Sequence, residues 1–312
     1  MRSIVVGYGV QGRKRREFAG ADYVGCVDPA HPAADFKSIE DVPLSCYDAA
    51  LVCVPDGPKF DLLNFLLGTG KHVLVEKPLW VDRAERIGQL EALARRKGAV
   101  CYTAYNHRFE PHFVRMRELI ASGLLGRLYS CRMFYGNGTA RLVRDSAWRD
   151  QGAGVLPDLG SHLLDTCLFW FGALDDRFRV LSVNRFENRS PDHVVIGMDD
   201  HAPRLELEMT LLSWRNHFTC DIFAEKGSAH IESLCKWGPA TFTHRTRVLP
   251  SGYPPQDSDT LVVSDPTWAA EYAHFRQLCR GGTPSDLSTD CWLSQVLGRL
   301  SEVALAKDPP VA

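Results

Sequence analysis

The run "SIVVGYGVQGRKRREFAG" constrains this chain more than any other stretch, because a short β-branched segment leads straight into glycines 7, 9 and 12. That order reads as a strand, a tight turn and the first turn of a helix. The G-x-G-x-x-G spacing gives each glycine a task. Gly7 permits the turn, Gly9 lets backbone N–H groups come close to a ligand, and Gly12 lets the helix pack on the strand. The helix start, with Val10 and Gln11, turns unsatisfied N–H groups and a positive dipole end outward, and a pyrophosphate suits that position. Asp28 closes the next strand-like run, "DYVGCVDP", where a carboxylate accepts hydrogen bonds from ribose hydroxyls. The pattern therefore predicts a dinucleotide site. Asp28 repels a 2′-phosphate and favours NAD, while Arg13 and Lys14 can offset that charge and leave NADP open.

Further along, strand-like and helix-like runs alternate. "AALVCVP" at 49–55 is continuously apolar, as strands covered on both faces are. A helix at about 58–69, the strand "HVLVE", a helix at about 82–97 and the strand "AVCYTAY" follow. Alternation of this kind predicts a doubly wound parallel sheet of Rossmann type over residues 1–122. Beyond a break near 122–126 the period falls to about two, in "RLYSCRMFYG", "HVVIGM", "RLELEMTLLSW", "HFTCDIFAE", "SAHIE" and "TFTHRTRVL". This predicts an α+β domain over 123–312, built on an open, mainly antiparallel sheet. One helix interrupts it at about 156–171, and residues 250–266, rich in proline and polar side chains, read as a long loop. Two helices close the chain at about 267–280 and 286–306, the last open to packing back on the first domain.

Composition narrows the function classes. The 312 residues carry a net charge of −2 and no long block of one sign, which argues against nucleic acid or an anionic membrane as partner. No apolar run approaches the roughly 20 residues of a membrane span, and no signal peptide precedes the first strand. Ten dispersed cysteines without a Cys-x-x-Cys pair read as buried thiols in a reducing, cytoplasmic compartment. The eleven histidines form neither H-x-x-x-H nor H-E-x-x-H, so no metal is expected.

Two short stretches carry candidate chemistry. "VLVEKPL" puts Glu76, Lys77 and Pro78 at the carboxyl end of a strand, where open α/β sheets bind ligands. Lys77 either snorkels past the strand end or turns its ammonium toward a substrate hydroxyl. "GVLPDLGSHLLD" sets Asp158 and His162 four residues apart, which an α-helix brings to one face. A neutral imidazole suits removal of a hydroxyl proton near neutral pH, and a carboxylate one turn away can orient it. Asp165 is placed for the same support. The alternative is structural: Asp158 favouring a helix N-terminus and His162 making an internal hydrogen bond. Asn106, His107 and Arg108 follow a strand end, and Arg144, Trp148 and Arg149 lie in an arginine-rich loop that could meet a sugar face or a phosphate.

Taken in order, "GYGVQG", "EKP" and "DLGSH", with "GKHVLVEKPL", "NHRFEPHF" and "EKGSAHIE", resemble the glucose–fructose oxidoreductase and inositol dehydrogenase family over nearly the whole chain. The resemblance implies an NAD- or NADP-dependent oxidoreductase acting on a hydroxyl of a sugar, nucleotide sugar or cyclitol. It implies that Lys77 contacts the reacting hydroxyl, Asp158 contacts substrate hydroxyls and His162 is the acid/base. Pro55, Glu76 and Lys77 would line the cofactor; Asn106, Arg108, Arg144, Trp148 and Asp165 would face the substrate. It also implies a homodimer or homotetramer formed through the C-terminal sheet. One departure stands out: where members carry P-N-x-x-H, this chain has "PDGPK", with Asp56 for Asn and Lys59 for His. The rival readings are a same-fold reductase for an imine or dihydrodiol, and a non-catalytic dinucleotide-binding regulator.

Overall fold

Apolar runs separated by glycine and proline turns give short, fully buried strands at the start of the chain and longer, one-sided strands later. The computed structural model describes residues 1–81, 84–147, 149–200 and 202–306. In order, the elements of its first part are β1 (Ser3–Val6), α1 (Val10–Ala19), β2 (Tyr23–Val27), β3 (Ala49–Val52), α2 (Asp56–Gly68), β4 (His72–Glu76), α3 (Ala84–Lys97), β5 (Cys101–Ala104) and α4 (Pro111–Ala121). There follow β6 (Leu128–Gly136), α5 (Ala140–Arg144), α6 (Ser161–Phe171), β7 (Arg179–Asn184), β8 (His193–Met198), β9 (Arg204–Thr210) and β10 (His217–Ala224). The chain continues through β11 (Gly227–Glu232), β12 (Ala240–Thr246), β13 (Gln256–Leu261), α7 (Thr267–Gly281) and α8 (Ser288–Ala306).

Packing divides the chain into two units, Met1–Asn106 with Trp268–Ser294, and His107–Thr267 with the chain from Gln295 on. In the first, five parallel strands lie in the order β2-β1-β3-β4-β5. Successive residues point to opposite faces. Val6, Val52 and Val75 join one buried cluster with Leu63, Leu66 and Ile87, while Val5, Leu51 and Leu74 join another with Tyr272 and Phe275. Covering on both faces explains why these strands carry no polar alternation. The expected α/β doubly wound sheet is present.

The second unit holds eight strands in the order β13-β12-β11-β10-β6-β9-β8-β7. β6 and β9 run parallel; the other neighbours are antiparallel. One face is buried, as β10 illustrates with Phe218, Cys220 and Ile222 inside. α6 is covered along most of its length, and its Trp170 Nε1 donates to the Phe113 carbonyl of α4 at 3.0 Å.

Three features differ from expectation. The division falls at 106–107 rather than 122–126, because α4 packs on α6 and β12. Within 250–266, residues 256–261 form β13 at the sheet edge. Its first five residues are polar and exposed, so no apolar alternation announced it; cross-strand pairs such as Thr241–Thr260 and Thr243–Ser258, both 2.9 Å, hold it to β12. Lastly, Leu156–Gly160 form a π-helical turn ahead of α6 rather than its first α-helical turn. Pro157 stands within the first two positions of that turn, where a missing N–H costs no helical hydrogen bond.

Candidate active site

In the first unit the glycine turn has the geometry its spacing implies. Gly7 adopts φ +89°, and an added Cβ would stand 2.5 Å from the Cys53 carbonyl oxygen. A Cβ on Gly12 would meet the Gly7 carbonyl oxygen at 2.0 Å, so helix and turn touch only because no side chain intervenes. Around the same position on Gly9 nothing lies within 4 Å. Among the described residues α1 has no side-chain cap and no acidic residue in its first turn. Its first N–H groups therefore face outward beside an exposed Val10 and Gln11, and this cradle fits a pyrophosphate. Asp28 accepts from the N–H groups of Tyr8 (2.8 Å), Ala30 (2.9 Å) and His31 (2.9 Å). Burial pushes this carboxyl up, but the three N–H groups outweigh it and hold the pKa below the ordinary aspartate value. Asp28 is thus an anion fixed directly beside the glycine turn.

The Glu76-Lys77-Pro78 turn at the end of β4 is clamped from two sides. Glu76 accepts from Arg15 Nε at 2.6 Å, and Arg15 Nη1 donates to Glu271 at 2.6 Å. The guanidinium, 2% exposed, also lies 4.2 Å from the Trp268 ring centroid. On the other side Lys59, buried in α2, donates to Asp56 at 2.6 Å and to the Pro78 carbonyl at 2.9 Å. The two departures in "PDGPK" thereby acquire a role, since both belong to the support of the lysine turn. Pro55 immediately precedes α2, Lys77 is half-buried, and Asn106 is buried at the end of this unit.

Asp158 and His162 lie in the second unit, on the π-helical turn and the first turn of α6. His162 is 7% exposed, and its ring stacks on that of His107 with centroids 4.1 Å apart and planes 19° from parallel. Tyr135, at the end of β6, stands 6.0 Å from the His162 ring and 5.5 Å from that of His107. Burial first, and then the charge of Asp158, raise the pKa of the Tyr135 phenol. Asp158 and His162 therefore share Tyr135 as a neighbour. Lys236 completes the group: its Nζ is 3.1 Å from His107 Nε2, 4.6 Å from the Trp237 ring centroid and 5.9 Å from that of Tyr135.

Asp165 is placed differently. Its buried carboxylate accepts a forked pair of bonds from Arg108, at 2.5 Å from Nη2 and 3.0 Å from Nε. Burial raises the Asp165 pKa, and Arg108 opposes it. Arg144 is exposed at the end of α5, and Trp148 lies outside the described residues. Of the expected residues, the first unit holds the glycine turn, Asp28, Pro55, Glu76, Lys77 and Asn106, and the second holds Arg108, Arg144, Asp158, His162 and Asp165. Sequence reasoning missed Tyr135, Lys236 and Trp237. Tyr135 is the last inward position of an alternating strand, a signal available in principle; Lys236 and Trp237 sit in a turn that no spacing ties to a histidine 129 positions earlier.

The geometry can be set beside known proteins. Residues 2–105 match a model described as an oxidoreductase family with an NAD-binding Rossmann fold, and residues 113–230 match the GFO/IDH/MocA C-terminal domain. The chain is 34% identical over 128 residues to the uncharacterized oxidoreductase YdgJ of Escherichia coli strain K12, a match spanning 40% of this chain and 36% of that protein. It is 26% identical over 239 residues to trans-1,2-dihydrobenzene-1,2-diol dehydrogenase of Mus musculus, covering 76% of this chain and 70% of the mouse protein. Levoglucosan dehydrogenase in complex with NADH superimposes with a TM-score of 0.82 at 16% identity, over 98% of this chain and 97% of that one. At such identity the last likeness carries the fold.

Proposed function

The chain belongs to the GFO/IDH/MocA family of NAD(P)-dependent oxidoreductases, and from that premise we propose that it interconverts a secondary hydroxyl and a ketone on a sugar, nucleotide sugar or cyclitol, with His162 as acid/base. The observation that carries the reading is the His162 imidazole, nearly buried on α6 and bordered by Tyr135, whose phenol feels the Asp158 charge. Gly7, Gly9, Val10, Gln11, Gly12, Asp28 and Pro55 would hold the dinucleotide, with Glu76 and Lys77 at its reactive end. A bound nicotinamide supplies the two-electron acceptor or donor.

The chain's own residues handle the proton and the charge. In the oxidative direction the carbon gives up hydride, and the hydroxyl proton passes to His162 as the C=O bond forms. The Lys77 ammonium stabilises the negative charge that develops on that oxygen, and Asp158 accepts from neighbouring hydroxyls. The clamp on Glu76 and Pro78 limits the freedom of the turn that carries Lys77. Outward residues Tyr129, Leu181 and Phe223 on the eight-stranded sheet support a homodimer or homotetramer formed through that face. All ten cysteines are thiols, in keeping with a reducing cytoplasm.

The test is turnover with NAD and with NADP on a panel of sugars, nucleotide sugars and cyclitols, run beside His162→Ala. The variant should lose about 10²–10⁴-fold in kcat while keeping its cofactor affinity. Unchanged turnover would sink the acid/base role. A second reading, oxidation of a trans-dihydrodiol, draws on the mouse relative; trans-1,2-dihydrobenzene-1,2-diol outperforming every sugar in the panel would establish it instead.

A further inference from the structure

We infer that Lys236 and His107 form a positioning pair for His162, the ammonium fixing the His107 ring and its charge weakening the proton affinity of the stacked His162 ring. The inference rests on the acid/base reading above and adds to it Lys236, which no sequence motif marks, and a role for His107.

The donor chemistry fixes the first step. An ammonium can only donate, so at 3.1 Å the Nε2 of His107 must accept, and the ring is neutral with its proton on Nδ1. The contact is braced from a neighbouring position. Glu110, three residues after His107 and 1% exposed, accepts from the backbone N–H of Cys235, the residue before Lys236. One carboxylate thus ties the His107 turn to the Lys236 turn.

The second step is electrostatic. His162 lies parallel to His107 at 4.1 Å, so a proton on His162 would set a new positive charge one ring away from the ammonium. Tyr135 from β6 also borders His162, and the charge of Asp158 from the π-helical turn acts on that tyrosine. Asp165 is tied to Arg108, and Glu110, with Asp265 near it, lies on the side of Lys236. Asp158 and Glu110 pull in the opposite direction to Lys236. The sign for Lys236 does not depend on them: removing a positive charge must raise the proton affinity of a nearby imidazole.

The experiment follows the imidazole directly, by NMR titration of the full chain without cofactor, with His162 assigned by comparison with His162→Gln. In Lys236→Met the His162 midpoint should rise by about one pH unit. In Lys236→Arg, which keeps the charge, it should stay where it is. The acid limb of kcat/KM for oxidation should move with it in each variant. An unmoved midpoint in Lys236→Met overturns the inference, and so does an equal rise in both variants, which would point to packing rather than charge. Full turnover by His162→Ala is a separate failure, one that sinks the acid/base reading and leaves the titration result to stand or fall alone.

Discussion

Arg15 and Lys236 are both cations laid over tryptophan, 4.2 Å from the Trp268 centroid in one unit and 4.6 Å from that of Trp237 in the other. Their other neighbours differ. Two carboxylates clasp Arg15 at 2.6 Å each; burial works against its charge, yet Glu76 and Glu271 hold its proton more firmly than water does. Lys236 Nζ lies 3.1 Å from His107 Nε2, and its charge acts on Glu110. A cation matched by two anions projects little field and serves as a rivet for the strand end that carries Lys77. One placed against an imidazole acts, on the inference above, on the proton affinity of the ring stacked behind it. Similar surroundings thus fix a backbone turn in one place and, on the inference above, tune the proposed base in the other.

The sharpest way to break this contrast is to remove both charges and compare stability. Arg15→Met takes the guanidinium from Glu271, which is fully buried, and should cost about 3–5 kcal/mol in urea unfolding. Lys236→Met removes a half-buried charge and should cost less than about 1 kcal/mol. Comparable losses in the two variants would mean that Lys236 is a rivet as well.

A smaller effect separates the cofactor turn from the histidine pair. Gly7→Ala forces an L side chain to φ +89° and brings a Cβ within 2.5 Å of a backbone oxygen. It should lose about 1–3 kcal/mol and weaken NADH binding, read as quenched or unquenched cofactor fluorescence. The His162 titration midpoint should not move. A shift there would show that the two chemistries are less independent than the contrast requires.

How much of this was legible beforehand follows from where the information resides. The parallel sheet was readable because strands buried on both faces leave unbroken apolar runs, and "HVLVE" coincides residue for residue with β4. The turn at Gly7 and the close packing at Gly12 could be read because they are local, set by a turn and the strand beside it. β13 was hidden since an exposed edge strand such as "QDSDTL" needs no apolar alternation. The π-helical turn escaped because i, i+4 spacing looks the same in any helical reading of Asp158 and His162. Lys59 was visible as a departure from a motif, but its meaning depends on the Pro78 carbonyl nineteen residues away. Lys236 and His107 meet only through the fold, and no period or spacing encodes a contact of that range.

The smallest effect tests Asp28, the anion fixed by backbone in the first unit, against the tuned base proposed for the second. Its folded pKa is depressed below the ordinary aspartate value, so its contribution to stability is complete above the unfolded pKa of about 3.9 and is lost as pH falls through the folded value. Asp28→Asn keeps one side-chain oxygen as an acceptor for N–H groups but gives up the charge. The variant should be less stable than the parent by about 1 kcal/mol at pH 7, and the gap should close below about pH 4. Urea unfolding at pH 7, 5 and 3 reads this directly. The same substitution removes the repulsion toward a 2′-phosphate, so the ratio of NAD to NADP affinity should fall as well. A stability gap that persisted at pH 3 would mean that Asp28 acts through shape and not charge, and the first unit would then lack the fixed anion against which the histidine pair is contrasted.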